Sequence, residues 1–447
     1  MKPSLPKGTR DFLPSEVKKR RYIFDTIRSV FESYGYDPIE TPVMESLSTL
    51  TGKYGDEGDQ LLFKVLNNGD YLQKADSSAL EQRNSQKLTP SISKRGLRYD
   101  LTVPFARFVV MHQNDIQFPF KRYQIQQVWR ADRPQKGRYQ EFYQCDADIV
   151  GSDSLMYEAE LASIYDTAFS RLGINVTIKY NNRKILYGIT EAAGVANRFR
   201  DITVSIDKLD KKGEDGVRNE MIENGIEEKA VDQIINLLAA SDVDNLRSAF
   251  SKSEIGQAGI EEIETFTSYL SGYHIKNQVV FDPTLARGLS YYTGCIFEVT
   301  ANDVVMGSIG GGGRYADLTG VFGLKGVSGV GISFGAERIY DVMVELGLFD
   351  DISSASSKVI LLALDQQSHD YAFSKANQLR DADIDTEVYP APLKMKKQMK
   401  YANAKGIPFV IIIGEEERES EVLTLKDMKE GSEGKFTIEQ IIEKLGE

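Results

Sequence analysis

Two β-prone runs, YQIQQVW and YQEFYQCDADIV, stand either side of RADRPQKGR, where Pro134 and Gly137 interrupt both patterns. Strands joined by so short a loop pair antiparallel. Strands over 122–130 and 138–150 are therefore expected to form a hairpin, with Arg130 at one end of its loop and Arg138 at the other. Further strand patterns at 61–66, 97–102, 278–282, 291–300, 303–311 and 327–334 follow mostly through short turns. The sheet they predict is largely antiparallel.

The hairpin also concentrates charge. Between Lys121 and Arg138 lie six Lys or Arg and one acid, Asp132, in a chain of net charge -12. Arginine suits phosphate, because its planar fork donates two hydrogen bonds at once and keeps its proton. Spacing alone leaves a phosphate site and a solvated surface hairpin as equal alternatives. A second basic cluster, PLKMKKQMKYANAKG, carries Lys394, Lys396, Lys397, Lys400 and Lys405. Met395, Met399 and Ala402 recur there at helical spacing, so the apolar stripe predicts core contact and the lysines an outer face, most often merely solvated.

Several chemistries are excluded by count. Cys145 and Cys295 are the only cysteines, too few for a disulfide framework or a thiolate zinc site, and both are expected as small core residues. His112, His274 and His369 lie far apart with no HxxxH spacing, which argues against zinc and against a local histidine triad. Chemistry must rest on arginine, carboxylates, tyrosine and backbone. GGGRYA satisfies GxGxxA but opens no βαβ unit, so no dinucleotide is expected, and TGKY lacks a Walker A context. Aliphatic runs such as VILLAL are too short to span a bilayer, and MKPSLPKGTRDF has no signal-peptide core. A cytoplasmic protein without membrane contact is expected.

Along the chain, Ile23, Phe24, Ile27, Val30, Phe31 and Tyr34 predict a long amphipathic helix over 16–34, stopping at Gly35. YDPIETPVME follows as an extended, edge-like strand, because Pro38 and Pro42 cannot donate to a ladder. Residues 183–273 are charged, aromatic-poor and helical in period, an insertion between strands of one sheet. DDISSASS at 350–357 has the composition of a linker. Beyond it KVILLALD, DTEVYP, PFVIIIGE and EVLTLKDM alternate with helical stretches. The expected organisation is an α+β domain at 1–349 on a largely antiparallel sheet, a linker, and a separate α/β domain at 358–447.

Taken in order, PIETPVME resembles motif 1 of class II aminoacyl-tRNA synthetases, WRADRPQKGRYQEFYQ resembles motif 2, and GVGISFGAERI resembles motif 3. LRYDLTVPFARF and ARGLSYYTGCIFEV resemble two stretches peculiar to the histidyl-tRNA synthetase family. The resemblance runs across nearly the whole chain and implies the class II catalytic fold, with a C-terminal anticodon-binding domain. It implies activation of L-histidine by ATP, accompanied by Mg2+, to histidyl-adenylate and pyrophosphate, then transfer to the 3' end of tRNA(His) by a homodimer. Carried over by position, Arg130 and Arg287 hold the α-phosphate and the attacking carboxylate. Arg138 and Arg338 take the γ-phosphate side, and Phe142 and Arg338 sandwich the adenine. Asp100, Thr102 and Gln144 are assigned to the substrate's ammonium, and Asp148 and Tyr292 to its imidazole. Leu101 and Tyr291 complete the histidine-binding set.

Gln135 and Lys136 are placed at the tRNA acceptor end, and Lys394, Lys397 and Lys400 near the anticodon. Two positions depart from the family pattern: Ser290 stands where an acidic or amide residue is usual, and Ala316 where an Asp commonly follows the RY pair. The competing reading is a synthetase-like regulatory subunit of ATP phosphoribosyltransferase, a group that typically lacks the arginine at Arg287 and the C-terminal domain. A synthetase for threonine, proline or glycine is disfavoured by RGLSYYTG and LRYDLTVP.

Overall fold

The structure is a computed structural model that describes residues 2–446 except 54, 136, 241, 287–290, 317 and 351–354. Its first helix, α1 (Pro14–Ser33), opens on a proline, whose missing N–H is no loss at a helix start. Ile23, Ile27, Val30 and Phe31 form its buried stripe, and Gly35 ends the turn at φ 76°.

The strands of the main sheet are β1 (Asp37–Pro38), β2 (Phe120–Trp129), β3 (Glu141–Val150), β4 (Val176–Asn182), β5 (Gln278–Phe281), β6 (Cys295–Ala301), β7 (Gly310–Tyr315) and β8 (Gly329–Gly335). They are ordered β1-β2-β3-β8-β7-β6-β4-β5. The inner pairings are antiparallel, and only the outermost pairs, β1 with β2 and β4 with β5, run parallel. A parallel pair needs a crossover. Between β4 and β5 it is built from helices that include Arg183–Ala192, Phe199–Ile206, Leu209–Glu223, Glu228–Leu238 and Glu254–Leu270. Met44–Ser46, Arg95–Leu97 and Lys64–Val65 make a separate small sheet.

Side chains alternate across a sheet, and here the two faces differ in kind. On one, Phe334 meets Phe31 of α1 at 5.8 Å, and Tyr165 and Phe169 of α3 (Met156–Leu172) at 4.8 and 5.3 Å between ring centroids. Cys145, Ala147 and Ile149 on β3 are buried at alternate positions, and Cys145 and Cys295 are free core thiols. The other face is polar. Gln126, Gln124 and Arg122 of β2 lie opposite Gln144, Asp146 and Asp148 of β3, which lie opposite Gly335, Ser333 and Gly331 of β8.

Three expectations shift. The strand expected over 97–102 is Arg95–Leu97, and its neighbour becomes helix α2 (Thr102–Met111), which buries Val103, Phe105, Ala106 and Val109 despite its β-branched residues. The strand expected over 303–311 begins only at Gly310, so GGGGRY is ladder rather than loop. β4, VTIKYNN, lies outside the expected set altogether.

Contacts divide the chain into two units, one of residues up to Asp11 with Arg20–Leu348, the other of Phe12–Lys19 with Phe349–Glu447. The second unit carries β9 (Val359–Ala363), β10 (Thr386–Val388), β11 (Phe409–Ile413), β12 (Leu423–Asp427) and β13 (Glu433–Phe436), ordered β10-β9-β11-β12-β13. Val359 and Leu361 face one apolar cluster with Ala376 and Ile441, while Ile360 and Leu362 face another with Tyr389 and Ala402. A strand covered on both faces reads as an unbroken apolar run. Helix α4 (Ala336–Glu345) belongs to the first unit; α5 (Gln366–Asp381) and α6 (Met395–Ala404) belong to the second. No described helix is long and apolar enough to cross a membrane.

Candidate active site

The hairpin of β2 and β3 carries the arginines. Gln135 and Arg138 exchange both backbone hydrogen bonds, at 3.1 and 2.9 Å, which closes a tight turn. Gly137 takes φ 69° there, and a Cβ on it would stand 3.2 Å from both Arg338 Cγ and Met306 Sδ. Glycine suits both demands. Arg138 is 44% exposed, 3.7 Å from Asp132, and Gln135 is exposed beside it. Lys136, expected at this tip, lies outside the described residues.

At the inner end of the loop, Arg130 donates to Tyr99 O at 3.0 Å and to Gln144 Oε1 at 3.2 Å. Its guanidinium lies 4.3 Å from the Tyr99 ring centroid and 5.2 Å from that of Phe142. A cation over aromatic faces is held without losing its donors. Arg98 fixes the adjacent chain. Fully buried, it donates to Thr41 O at 2.6 Å, Gln127 O at 2.7 Å and Gln126 Oε1 at 3.0 Å, tying the segment that contains Asp100 to β2. Burial lowers its pKa. Asp100 Oδ1 in turn accepts from Val103 N at 3.1 Å, tying the residue before the N-cap Leu101 to the first turn of α2, which opens at Thr102. Leu101 is wholly buried between them.

Arg338, three residues into α4, donates to Gly137 O at 3.0 Å and Ser308 O at 2.5 Å. It thereby clasps the loop tip to the segment before β7. Its neighbour Glu337 anchors the helix, accepting from Arg10 at 2.6 Å and from Arg20. Arg130 thus lies against the Phe142 ring, and Arg338 is held at the loop tip. Arg287, expected with Arg130, lies outside the described residues, as does Ser290.

On the polar face, Thr102, Asp146, Asp148, Tyr291, Tyr292, Gly311, Gly312, Tyr315, Gly331, Ile332 and Ser333 line a narrow cleft with a cavity volume of about 20 Å3. Of the expected histidine-binding residues, Thr102, Asp148, Tyr291 and Tyr292 meet here, with Gln144 and Arg130 next along the hairpin. Asp148 accepts from the Tyr315 hydroxyl at 2.7 Å and lies 2.5 Å from Arg122 Nη2. That second contact is a charge pair without hydrogen-bond alignment, since all three guanidinium nitrogens of Arg122 lack hydrogen-bond partners. Arg122 is wholly buried, 4.2 Å from the Phe105 ring centroid. Burial raises the Asp148 pKa, and Arg122 and Tyr315 oppose the rise. Asp146 is pushed up to about 7, first by burial and then by Asp148 and Asp100, against Arg122 and a Ser333 hydrogen bond. Tyr291 and Tyr315 are raised well above their ordinary value by burial.

Sequence reasoning missed Asp146, Arg122, Tyr315 and Ser333. The two-residue period of β3 could have supplied the first, because Gln144, Asp146 and Asp148 must share a face. Tyr315 and Ser333 join through sheet order, which no local pattern prints.

The arrangement is a polar cleft rich in acceptors, with Arg130 held by Gln144 next along the hairpin. The family model described as Histidyl-tRNA synthetase matches residues 8–73 and 69–339, and that described as Anticodon binding domain matches 358–447. The chain belongs to the histidyl-tRNA synthetase family. It is 54% identical over 440 residues to a histidine–tRNA ligase of Christiangramia forsetii, covering 97% of this chain and 96% of that one. It is 54% identical over 446 residues to one of Bacteroides fragilis, covering 99% and 98%. The solved histidyl-tRNA synthetase of Nostoc sp. PCC 7120 superposes with a TM-score of 0.85 at 30% identity, covering 100% of this chain and 99% of the other.

Proposed function

We infer that this chain is a histidine–tRNA ligase: it activates L-histidine with ATP and passes the histidyl group to tRNA. The observation that carries this is identity above half of all positions, end to end, with curated histidine–tRNA ligases. The regulatory-subunit reading is set aside on the same ground, and by the anticodon-binding domain at 358–447.

In the first step the histidine carboxylate attacks the α-phosphorus of ATP, and pyrophosphate leaves. Charge grows on the α-phosphoryl oxygens, so catalysis is mostly positioning and charge stabilisation. We assign Arg130 and Arg287 to that charge and to the carboxylate, and Arg138 and Arg338 to the γ-phosphate side. Adenine is assigned to the space between Phe142 and Arg338. The clasp of Arg338 on Gly137 and Ser308 supports this reading by holding its guanidinium beside the loop. Asp100, Leu101, Thr102 and Gln144 are assigned to the amino acid's backbone end, and Asp148, Tyr291 and Tyr292 to its side chain. Mg2+ enters as the counterion of ATP.

The second step brings tRNA(His). Gln135 and Lys136 are assigned to its acceptor end, and Lys394, Lys397 and Lys400 to its anticodon arm. All three are exposed, Lys394 at the N-cap of α6 and Lys397 and Lys400 on it, and Met395, Met399 and Ala402 pack inward as their spacing predicts. We further propose a cytoplasmic homodimer, with 1–349 catalytic and 358–447 anticodon-binding. Pyrophosphate exchange into ATP, run with each of the twenty amino acids, tests the reading: histidine alone should support it. Equal exchange with another amino acid would overturn the pocket assignment.

A further inference from the structure

The chain ahead of α1 lies against the hairpin that carries the arginines. On the return side of the hairpin loop, Gln140 N donates to Gly8 O at 2.9 Å, while Gln140 O accepts from Arg130 N at 3.0 Å. Two residues beyond Gly8, Arg10 places its guanidinium 3.8 Å from the Tyr139 ring centroid and donates to the Tyr139 hydroxyl at 3.1 Å. It donates also to Glu337 Oε2, at 2.6 Å. Glu337 is buried, and it accepts further from Arg20 of α1 and from Tyr143 N of β3, the latter at 3.4 Å. Arg20 lies 5.5 Å from the Tyr143 ring centroid. One carboxylate thus joins the N-terminal arm, α1, the hairpin and α4, one residue before Arg338. Charge-assisted bonds of this kind are the strong ones.

We propose that Arg10 is a positioning residue for the activation step: by bridging Tyr139 to Glu337 it sets how the hairpin loop stands against α4, and so holds Arg338 at the loop tip. Arg338 follows Glu337 in the first turn of α4 and donates to Gly137 O at 3.0 Å, two residues before Tyr139. Arg10 and Arg338 therefore tie the same short loop to the same helical turn at two points. Bonds within the loop, Gln135 with Arg138 and Gln140 Nε2 to Asp132 O at 2.9 Å, shape it but do not set its distance from α4. A guanidinium can serve both ends of the bridge because its fork donates in two directions, which a lysine ammonium on a flexible stem does not reproduce. The two arginines differ in role: Arg10 is committed to protein partners, and Arg338 is the one assigned to ATP. A cation aimed at a triphosphate loses effect steeply when it is misplaced.

This inference rests on the ligase reading and on the assignment of Arg338 to ATP, and the experiment separates their failures. Histidine-dependent pyrophosphate exchange is measured for the unaltered full-length chain, Arg10→Ala, Arg338→Ala and the double variant. Where a variant loses exchange, the dissociation constant for ATP replaces its KM. Arg10→Ala is expected to raise the KM for ATP about tenfold, with the KM for histidine within about threefold. In the double variant it is expected to add less than about twofold to the effect of Arg338→Ala, because residues that act through one contact are not additive. Arg10→Lys should recover only part of the loss, since the charge beside Glu337 returns without the bridge. An unchanged KM for ATP in Arg10→Ala overturns the proposal. So does an equal effect of Arg10→Ala with and without Arg338, which is what a merely structural loss would give, and so does full recovery by Arg10→Lys. If Arg10→Ala does not fold, Tyr139→Leu, which removes the ring and hydroxyl that Arg10 holds, is carried through the same cycle under the same criteria. An unaltered KM for ATP in Arg338→Ala would overturn the assignment of that arginine and the proposal with it. Absence of histidine-dependent exchange in the unaltered chain would instead overturn the ligase reading itself.

Discussion

Arg130 shows how one side chain can be both positioned and available. Its Nε is committed to Tyr99 O and one terminal nitrogen to Gln144, while its plane lies over two aromatic rings. On the proposed assignment, removing it takes away a fixed cation where charge would develop. Arg130→Ala is expected to slow pyrophosphate exchange by roughly 100- to 1000-fold, the scale of losing one transition-state charge partner. Arg130→Lys should recover little, since a lysine offers no planar fork. Recovery to near the unaltered rate would make point charge sufficient. Asp146 carries a second residue-scale consequence, in stability. Its folded pKa of about 7 exceeds the ordinary carboxylate value of about 4. The folded state therefore binds more protons than the unfolded one between those values. The contribution is most favourable below pH ~4, falls as pH rises towards 7, and is level above that. Thermal melts from pH 4.5 to 7.5 should show a shallower decline for Asp146→Asn than for the unaltered chain. Parallel declines would place the titration elsewhere.

At the scale of elements, the glycines of β7 and β8 decide how deep the pocket is. A Cβ at Gly331 would stand 2.0 Å from Asp148 Oδ1 and 3.1 Å from Ala147 O, and Asp148 cannot swing aside without leaving Tyr315 and Arg122. Gly331→Ala is expected to cost roughly 1–3 kcal/mol of stability, as overpacking does. Its KM for histidine should rise while α-phosphate chemistry at Arg130 persists at saturating substrate. A denaturant melt and a histidine titration read the two effects separately. The same glycines explain why part of the fold was hard to read. GGGGRY has no β-propensity, and it is strand because the neighbouring backbone sits so close that a Cβ on Gly312 would come within 2.2 Å of Gly331 O. Elements with a strong period of their own were legible: α1, the hairpin, and the apolar runs of β9 and β11. α2 was not, because burial of Val103, Phe105 and Val109 overrides the β preference of TVPFARFVV. In the pocket, the motif residues Thr102, Asp148, Tyr291 and Tyr292 could be read from the sequence. Arg122, Tyr315 and Ser333 could not, because cross-strand register brings them there.

For the whole molecule, the division of labour between the two units is the point that experiment can press hardest. Val43 and Met44 of PIETPVME are exposed, at 42% and 48%, close to the β1 edge, and a two-fold homodimer is expected to use this stretch. Light scattering that shows an active monomer at working concentration would refute that. The second unit has cores of its own on both faces of β9, and its exposed lysines on α6 are remote in sequence from every residue assigned to chemistry. Each phosphate neutralised by such a lysine releases counterions and steepens the salt dependence of binding. A chain truncated after Ser357 retains Phe349 and Ala355, the partners of Lys19 and Lys18 near the start of α1. It is therefore expected to keep histidine-dependent pyrophosphate exchange within about threefold, on the scale of an interaction that chemistry does not use. Aminoacylation should fall sharply, chiefly through a higher KM for tRNA, and the slope of log KM against log salt should become shallower. Truncated protein that charges tRNA as well as the full chain, with the same salt slope, would leave the α6 lysines as a solvated face.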